Sequence, residues 1–267
     1  MAKKDDLRRE ARERLKAERE AEVRRARLRG RLVVGGSVVA VLALAVGVGV
    51  YAAGAPGNSG ESEAGDKPFV RPANTSGKDG AVVPYGRADA KHTLTMWLDP
   101  RCPYCAGAEQ GLGKTFKEQA DAGTYRIEYR FATFLDGALG GKGSKRALNA
   151  LGAAVNESPE KFMDYLQVLY ANHPAEEKDD KFGSTATLLE LADQVPGLRT
   201  PAFNKAVKEL TYMPWVDKVG QAFYESGEKG TPAVYLDGRK LEVSSGDGIK
   251  SITVDAWRKL VGDTLKS

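Results

Sequence analysis

Cys102 and Cys105 are the only cysteines among 267 residues, and only Pro103 and Tyr104 separate them. Thiols this close pass between dithiol and disulfide with almost no chain movement, by thiolate attack through a mixed disulfide. A strand-like run, His92–Leu98, precedes the motif. A stretch with apolar residues at helical spacing, Pro103–Ala120, follows it. Cys102 therefore stands where a helix begins, with Pro103 in a first turn that needs no N–H from it. The positive end of the helix dipole lowers a thiol's pKa, so Cys102 reads as the attacking and attacked sulfur. Cys105 lies one turn inside, on the apolar side, and reads as the shielded resolving thiol.

Other uses of the pair are weaker. A disulfide closing so short a loop removes little unfolded-state entropy and makes a poor staple. Zinc needs about four ligands, and only His92 and His173 could join the cysteines. Neither shows paired spacing and each reads as a surface histidine, so no metal and no cofactor are expected. Two unpaired core cysteines suit a reducing compartment better than an oxidising one.

The elements that must hold the motif follow in order. Thr124–Phe131 alternates as a second strand, with Tyr125, Ile127, Tyr129 and Phe131 on one face. Five helical patterns come next: Gly143–Asn156, Pro159–Asn172, Thr185–Val195, Pro201–Leu210 and Pro214–Glu225. Ser158-Pro159 and Thr200-Pro201 are start signals. Pro232–Leu236 and Arg239–Val243 flank Asp237-Gly238 and read as a β-hairpin. Val254–Leu265 closes the chain as a helix. Asp99 and Glu128 could tune the cysteines or relay a proton; Asp99 could equally be an exposed turn residue, and Glu128 reads rather as an exposed strand residue. Trp97 reads as core and Tyr104 as a flank of a substrate groove.

The N-terminal part has another character. Residues 1–31 carry thirteen Lys/Arg against seven Asp/Glu, so the overall +4 leaves about −2 for the rest. The basic pI belongs to this tail, which argues against nucleic-acid binding by the main domain. Leu32–Ala53 is 22 residues without a charge, long enough as a helix to cross a hydrocarbon core of ~30 Å. The positive charge before it places the N-terminus in the cytoplasm and the remainder outside. A cleaved signal peptide, with Ala53-Gly54-Ala55 as the cleavage site, is the competing reading. Residues 54–80 are rich in small and polar types and read as a flexible linker with a reach on the order of 30 Å. Asn74-Thr75-Ser76 within it matches a glycosylation sequon. The folded domain is expected over 81–267, with a helical insertion at about 141–228.

Strand, Cys102-Pro103-Tyr104-Cys105, helix, helical insertion, then Gly230-Thr231-Pro232-Ala233-Val234-Tyr235-Leu236-Asp237-Gly238: this order resembles the DsbA-like branch of the thioredoxin superfamily. Asp99-Pro100-Arg101 is similar to the acid-led opening of its membrane-anchored bacterial members. The resemblance spans roughly 82–265. It implies an α/β thioredoxin fold with an inserted helical subdomain, here preceded by one transmembrane helix. It implies a cis Thr231–Pro232 bond beside the cysteines, although the dipeptide alone would read as trans. The Thr231 backbone would then pair with a client as a short added strand. The implied activity is disulfide introduction into secreted or envelope protein thiols, with a membrane redox partner restoring the disulfide. Two features depart from relatives. Tyr104 stands where many DsbA proteins carry histidine. Cys-Pro-Tyr-Cys is also the glutaredoxin motif, but Gly238-Arg239-Lys240 is not the Gly-Gly glutathione element. A reductase or isomerase, and a non-enzymatic thioredoxin-like module of a membrane complex, remain the alternatives.

Overall fold

The computed structural model describes residues 63–246 and 248–266. The basic tail 1–31, the expected span 32–53 and residues 54–62 of the expected linker lie outside the described residues. Among the described residues, no helix is long and apolar enough to cross a membrane.

Five described strands form one mixed sheet in the order β1-β3-β2-β4-β5. They are β1 Val83–Tyr85, β2 Thr93–Leu98, β3 Arg126–Phe131, β4 Ala233–Leu236 and β5 Arg239–Leu241. β2 and β3 run parallel, from Thr93 beside Arg126 to Leu98 beside Phe131. A parallel pair needs a crossover, and helix α1, Pro103–Asp121, supplies it. β4 returns antiparallel on the other side of β2 and turns into β5 through Asp237-Gly238. Asp237 and Gly238 both have positive φ, as the two-residue turn demands. β1 pairs antiparallel to β3 at the edge, where Pro84 leaves no inner ladder short of a donor.

Strand alternation sorts the two faces. Leu94, Met96 and Leu98 of β2 and Ile127, Tyr129 and Phe131 of β3 are fully or almost fully buried in the main core, with Leu112 and Phe116 of α1. The opposite face carries Trp97, which joins Phe223, Ala132 and Ala233 in a smaller cluster.

Between β3 and β4 the chain forms α2 Phe134–Leu139, α3 Gly143–Glu157, α4 Pro159–Ala171, α5 Thr185–Ala192, α6 Pro201–Lys208 and α7 Met213–Ser226. Ser158, Ser184 and Thr200 each cap a helix by accepting a backbone N–H three residues on. α4 packs on α1, which brings the inserted helices against the cysteine-bearing helix. The terminal helix α8, Val254–Thr264, packs on α1 through Trp257 against Phe116. β1 and α2 have no clear sequence signal: one is three residues long, the other only six.

The described part of the expected linker is folded rather than free. Glu63 accepts from Arg146 and Lys142, and Ala64 is buried. Ala73 N–H donates to Asn156, Ser76 bridges to Val82, and Gly80 accepts from the Trp215 indole. Composition suggested a tether because the segment has few large apolar residues. It is held instead by backbone and ionic bonds to partners far along the chain, which composition does not reveal. The sequon side chain is engaged as well: Asn74 Nδ2 donates to the Val155 carbonyl.

Candidate active site

Cys102 is the N-cap of α1 in extended conformation, and Pro103 occupies the first turn. Its N–H donates to the Asp99 carbonyl at 2.9 Å, closing the turn Asp99-Pro100-Arg101-Cys102. Its carbonyl accepts from Ala106, which starts the helix. Both cysteines are free thiols. The Thr231–Pro232 bond is cis, and the Thr231 carbonyl accepts from Cys102 Sγ at 3.2 Å. Residues 129 positions apart thus meet at the reactive sulfur.

The pair is electrostatically asymmetric. Burial opposes the Cys102 thiolate, but the Cys105 thiol, the Thr231 side chain and the Cys105 backbone outweigh it and lower the Cys102 thiol, although Thr231 Oγ1 makes no hydrogen bond while Cys102 keeps its proton. Burial raises the Cys105 thiol well above its usual range, and the neighbouring Cys102 raises it further. One sulfur is therefore set to ionise and the other to keep its proton, as thiol–disulfide exchange requires. Cys102 is itself only 4% exposed, so it is far less open than an attacked sulfur suggested by sequence alone. The cis-proline segment and the first helical turn leave a narrow approach.

Asp99 is fully buried rather than an exposed turn residue. Its Oδ1 accepts from Ser144 Oγ at 2.6 Å and from Arg101 N–H at 3.0 Å; its Oδ2 accepts from Leu135 N–H. Burial nevertheless dominates and pushes its carboxyl up to about 7. Its carbonyl also accepts from the buried Tyr170 hydroxyl of α4. Glu128 does not join the site: it lies between Arg126 and Arg130 on the opposite sheet face. Trp97 is core, stacked edge-on against Phe223. Tyr104 is half-buried and packs on the main core. His92 pairs with Asp237 at 2.6 Å, at the hairpin. His173 is half-buried rather than on the surface, its ring edge-on to Phe182. Among the described residues, no group of three potential ligands could hold a metal ion.

Several site neighbours carry no local sequence signal. Ser144, Leu135 and Tyr170 reach Asp99 only through the packing of the inserted helices. Glu109, one turn beyond Cys105 on α1, is a buried carboxyl with neither oxygen paired, and burial alone pushes it up to about 8. Its spacing from Cys105 could have flagged it.

A dithiol at the N-terminus of a crossover helix, beside a cis-proline that immediately precedes the neighbouring strand of a mixed sheet, defines a thiol:disulfide oxidoreductase of thioredoxin fold. Residues 78–263 match the family model described as Thioredoxin, and the chain belongs to that family. Disulfide bond formation protein D of Bacillus subtilis (strain 168) is 23% identical over 158 residues, covering 59% of this chain and 68% of that protein. Among solved structures, MdbA of Actinomyces oris, a thiol-disulfide oxidoreductase, has a TM-score of 0.59 at 19% identity, covering 77% of this chain and 94% of that one. BdbD from Bacillus subtilis has a TM-score of 0.57 at 19% identity, covering 76% and 100%. The reduced disulfide bond oxidoreductase DsbG from Mycobacterium tuberculosis has 0.57 at 22% identity, covering 71% and 90%. At these identities the structural likeness establishes the fold.

Proposed function

We propose that this chain is a membrane-anchored, outward-facing oxidase that introduces disulfides into secreted or envelope proteins. The observation that carries the chemistry is the asymmetric thiol pair with Cys102 Sγ against the Thr231 carbonyl. In the oxidised enzyme a client thiolate attacks Cys102 Sγ. The Cys102–Cys105 bond breaks, and Cys105 leaves as a thiolate that takes up a proton. A second client thiolate then attacks the client sulfur of the mixed disulfide and expels Cys102 as a thiolate. The client loses two electrons and the enzyme gains them; a membrane redox partner accepts them in turn. Thr231, Pro232 and Tyr104 line the client approach, and the backbone of the Thr231 segment offers the edge for a short added strand. Asp99, with its carboxyl at about 7, tunes Cys102 by repulsion when ionised.

Anchoring rests on the uncharged run 32–53 behind a basic tail, which places 63–267 outside the cytoplasm. A phosphatase fused after Ser267 is then active, and silence there overturns the orientation. The client-oxidase reading is tested with Cys105→Ala, whose lone Cys102 is first charged by oxidised glutathione, so that a client thiolate can attack the Cys102–glutathione disulfide and expel glutathione as its thiolate. Mixed disulfides with secreted clients should accumulate at Cys102; their absence by thiol trapping, with Cys102 still reactive, rejects it.

One observation favours a second direction. Tyr104 offers the thiolate no donor between the cysteines of the kind a histidine would supply. A measured reduction potential near about −120 mV supports oxidation, and one near about −270 mV supports a reductase.

A further inference from the structure

The residue just before Cys102 is a buried arginine. Arg101 is 2% exposed, and a charge is expensive to bury unless it is paired. Its Nη1 donates to Asp136 Oδ1 at 3.1 Å and to the Gly140 carbonyl at 2.6 Å. Asp180 Oδ1 lies 3.5 Å from the same nitrogen. Nε and Nη2 are buried without a partner, so the whole grip of the side chain passes through one nitrogen. Its acceptors come from α2, from the loop after it, and from the residue that caps the short 3-10 turn Lys181–Gly183.

Those acceptors are themselves fixed. Asp136 takes the N–H groups of Ser144 and Lys145 at the start of α3. Asp180 takes those of Lys142 and Gly143. Ser144 in turn donates to Asp99, at the other end of the catalytic turn. Every bond that the Asp99 and Arg101 side chains make beyond the turn thus goes to residues 135–144 or to Asp180.

The arginine's bonds go to Asp136, Gly140 and Asp180, and none goes to the sulfur. The donors that lower the Cys102 thiol are Cys105 and Thr231. Such donors act only over hydrogen-bond distances, so they depend on where the turn places the sulfur. We propose that Arg101 is a positioning residue for Cys102: it registers the catalytic turn against the inserted helices and so keeps the sulfur within reach of the groups that favour its thiolate. This rests on reading Cys102 as the reactive sulfur and holds for either direction of exchange.

Two variants of the full-length protein separate position from charge. Arg101→Met removes the grip. Gly143→Ala changes no charge, but its new Cβ would stand 2.9 Å from Arg101 Cδ and 2.5 Å from Asp180 Oδ1, which displaces the pair. The readout is the pH profile of Cys102 alkylation and of thiolate absorbance, with far-UV circular dichroism recording the fold. Both variants are expected to titrate Cys102 higher by about half a unit to one unit, an approximately 3- to 10-fold loss of thiolate on the acid side. The deficit narrows above about pH 9, where the thiol ionises in every form; a general loss of structure would not recover with pH. If Arg101→Met does not fold, Gly143→Ala decides. A wild-type profile in Gly143→Ala overturns the proposal, because charge would then be the only role left to Arg101. So does a wild-type profile in folded Arg101→Met. Failure of clients to form mixed disulfides would reject the oxidase reading without touching this result.

Discussion

Replacing Glu109 with glutamine should stabilise the protein, and by an amount that grows with pH. Glu109 is buried in α1 and neither carboxylate oxygen has a hydrogen-bond partner. Oε2 leans over Gly113, where an added Cβ would lie 2.6 Å from it and 3.8 Å from Gln167 Nε2, itself unpaired. Tyr125, Tyr129 and Tyr170 surround it and all feel its charge. Burial pushes the carboxyl from 4.5 up to about 8. The folded state therefore keeps a proton that the unfolded chain gives up above about pH 4.5. Because the native state binds more protons in this window, stability falls as pH rises through it and levels off beyond about pH 8. At about 1.4 kcal/mol per unit, the cost is on the order of 1 kcal/mol at pH 5, 3 at pH 7 and 5 at the plateau. A glutamine side chain at this position would have the same shape and no such cost. Urea unfolding of the wild type and Glu109→Gln at pH 5, 6, 7 and 8 measures the difference, and other titrating groups such as Asp99 cancel between them. The gap should widen by about 2 kcal/mol from pH 5 to 7. A gap that stays flat with pH refutes the buried neutral carboxyl.

Thr231→Val keeps the shape of the side chain and removes a buried hydroxyl that is unpaired while Cys102 keeps its proton and that lowers the Cys102 thiol. Iodoacetamide should then alkylate Cys102 about 3- to 10-fold more slowly near pH 6, and an unchanged rate would remove Thr231 Oγ1 from the donor set. Gly107→Ala would bring a Cβ to 1.8 Å from the Ile249 carbonyl oxygen, so the backbone at Ile249 must move off α1. About 1–3 kcal/mol of stability should be lost, with faster hydrogen exchange at the Ile252 amide that now donates to Val243. Gly111→Ala meets the Ser251 hydroxyl, which can turn aside, and the Ser251 Cβ only at 3.0 Å; equal losses in the two variants would refute the backbone clash.

Much of the site was legible because its signals are local. Two residues between cysteines, a proline at the first helical position and a preceding strand pattern are read within a short stretch of chain. The helices of the insertion were legible for the same reason: Ser158-Pro159 and Thr200-Pro201 are capping signals complete in two residues. The hairpin came from Asp237-Gly238 between the two short runs Pro232–Leu236 and Arg239–Val243. By contrast, the short elements β1 and α2 carry too few residues for a period to show. The folded course of 63–80 depends on Asn156, Arg146 and Trp215, and no pattern within the segment announces them.

What the sequence determined by itself is therefore the chemistry: a paired-thiol motif at a helix start, on an α/β chain with a helical insertion. Tertiary structure decided how that chemistry is poised. It brought Thr231 from 129 residues away to Cys102 Sγ, buried Asp99 among Ser144, Leu135 and Tyr170, and gripped Arg101 through Asp136 and Asp180. The reason is physical. A thiol's pKa depends on donors a few ångströms away and on exclusion of water, and both are set by which distant segments pack together.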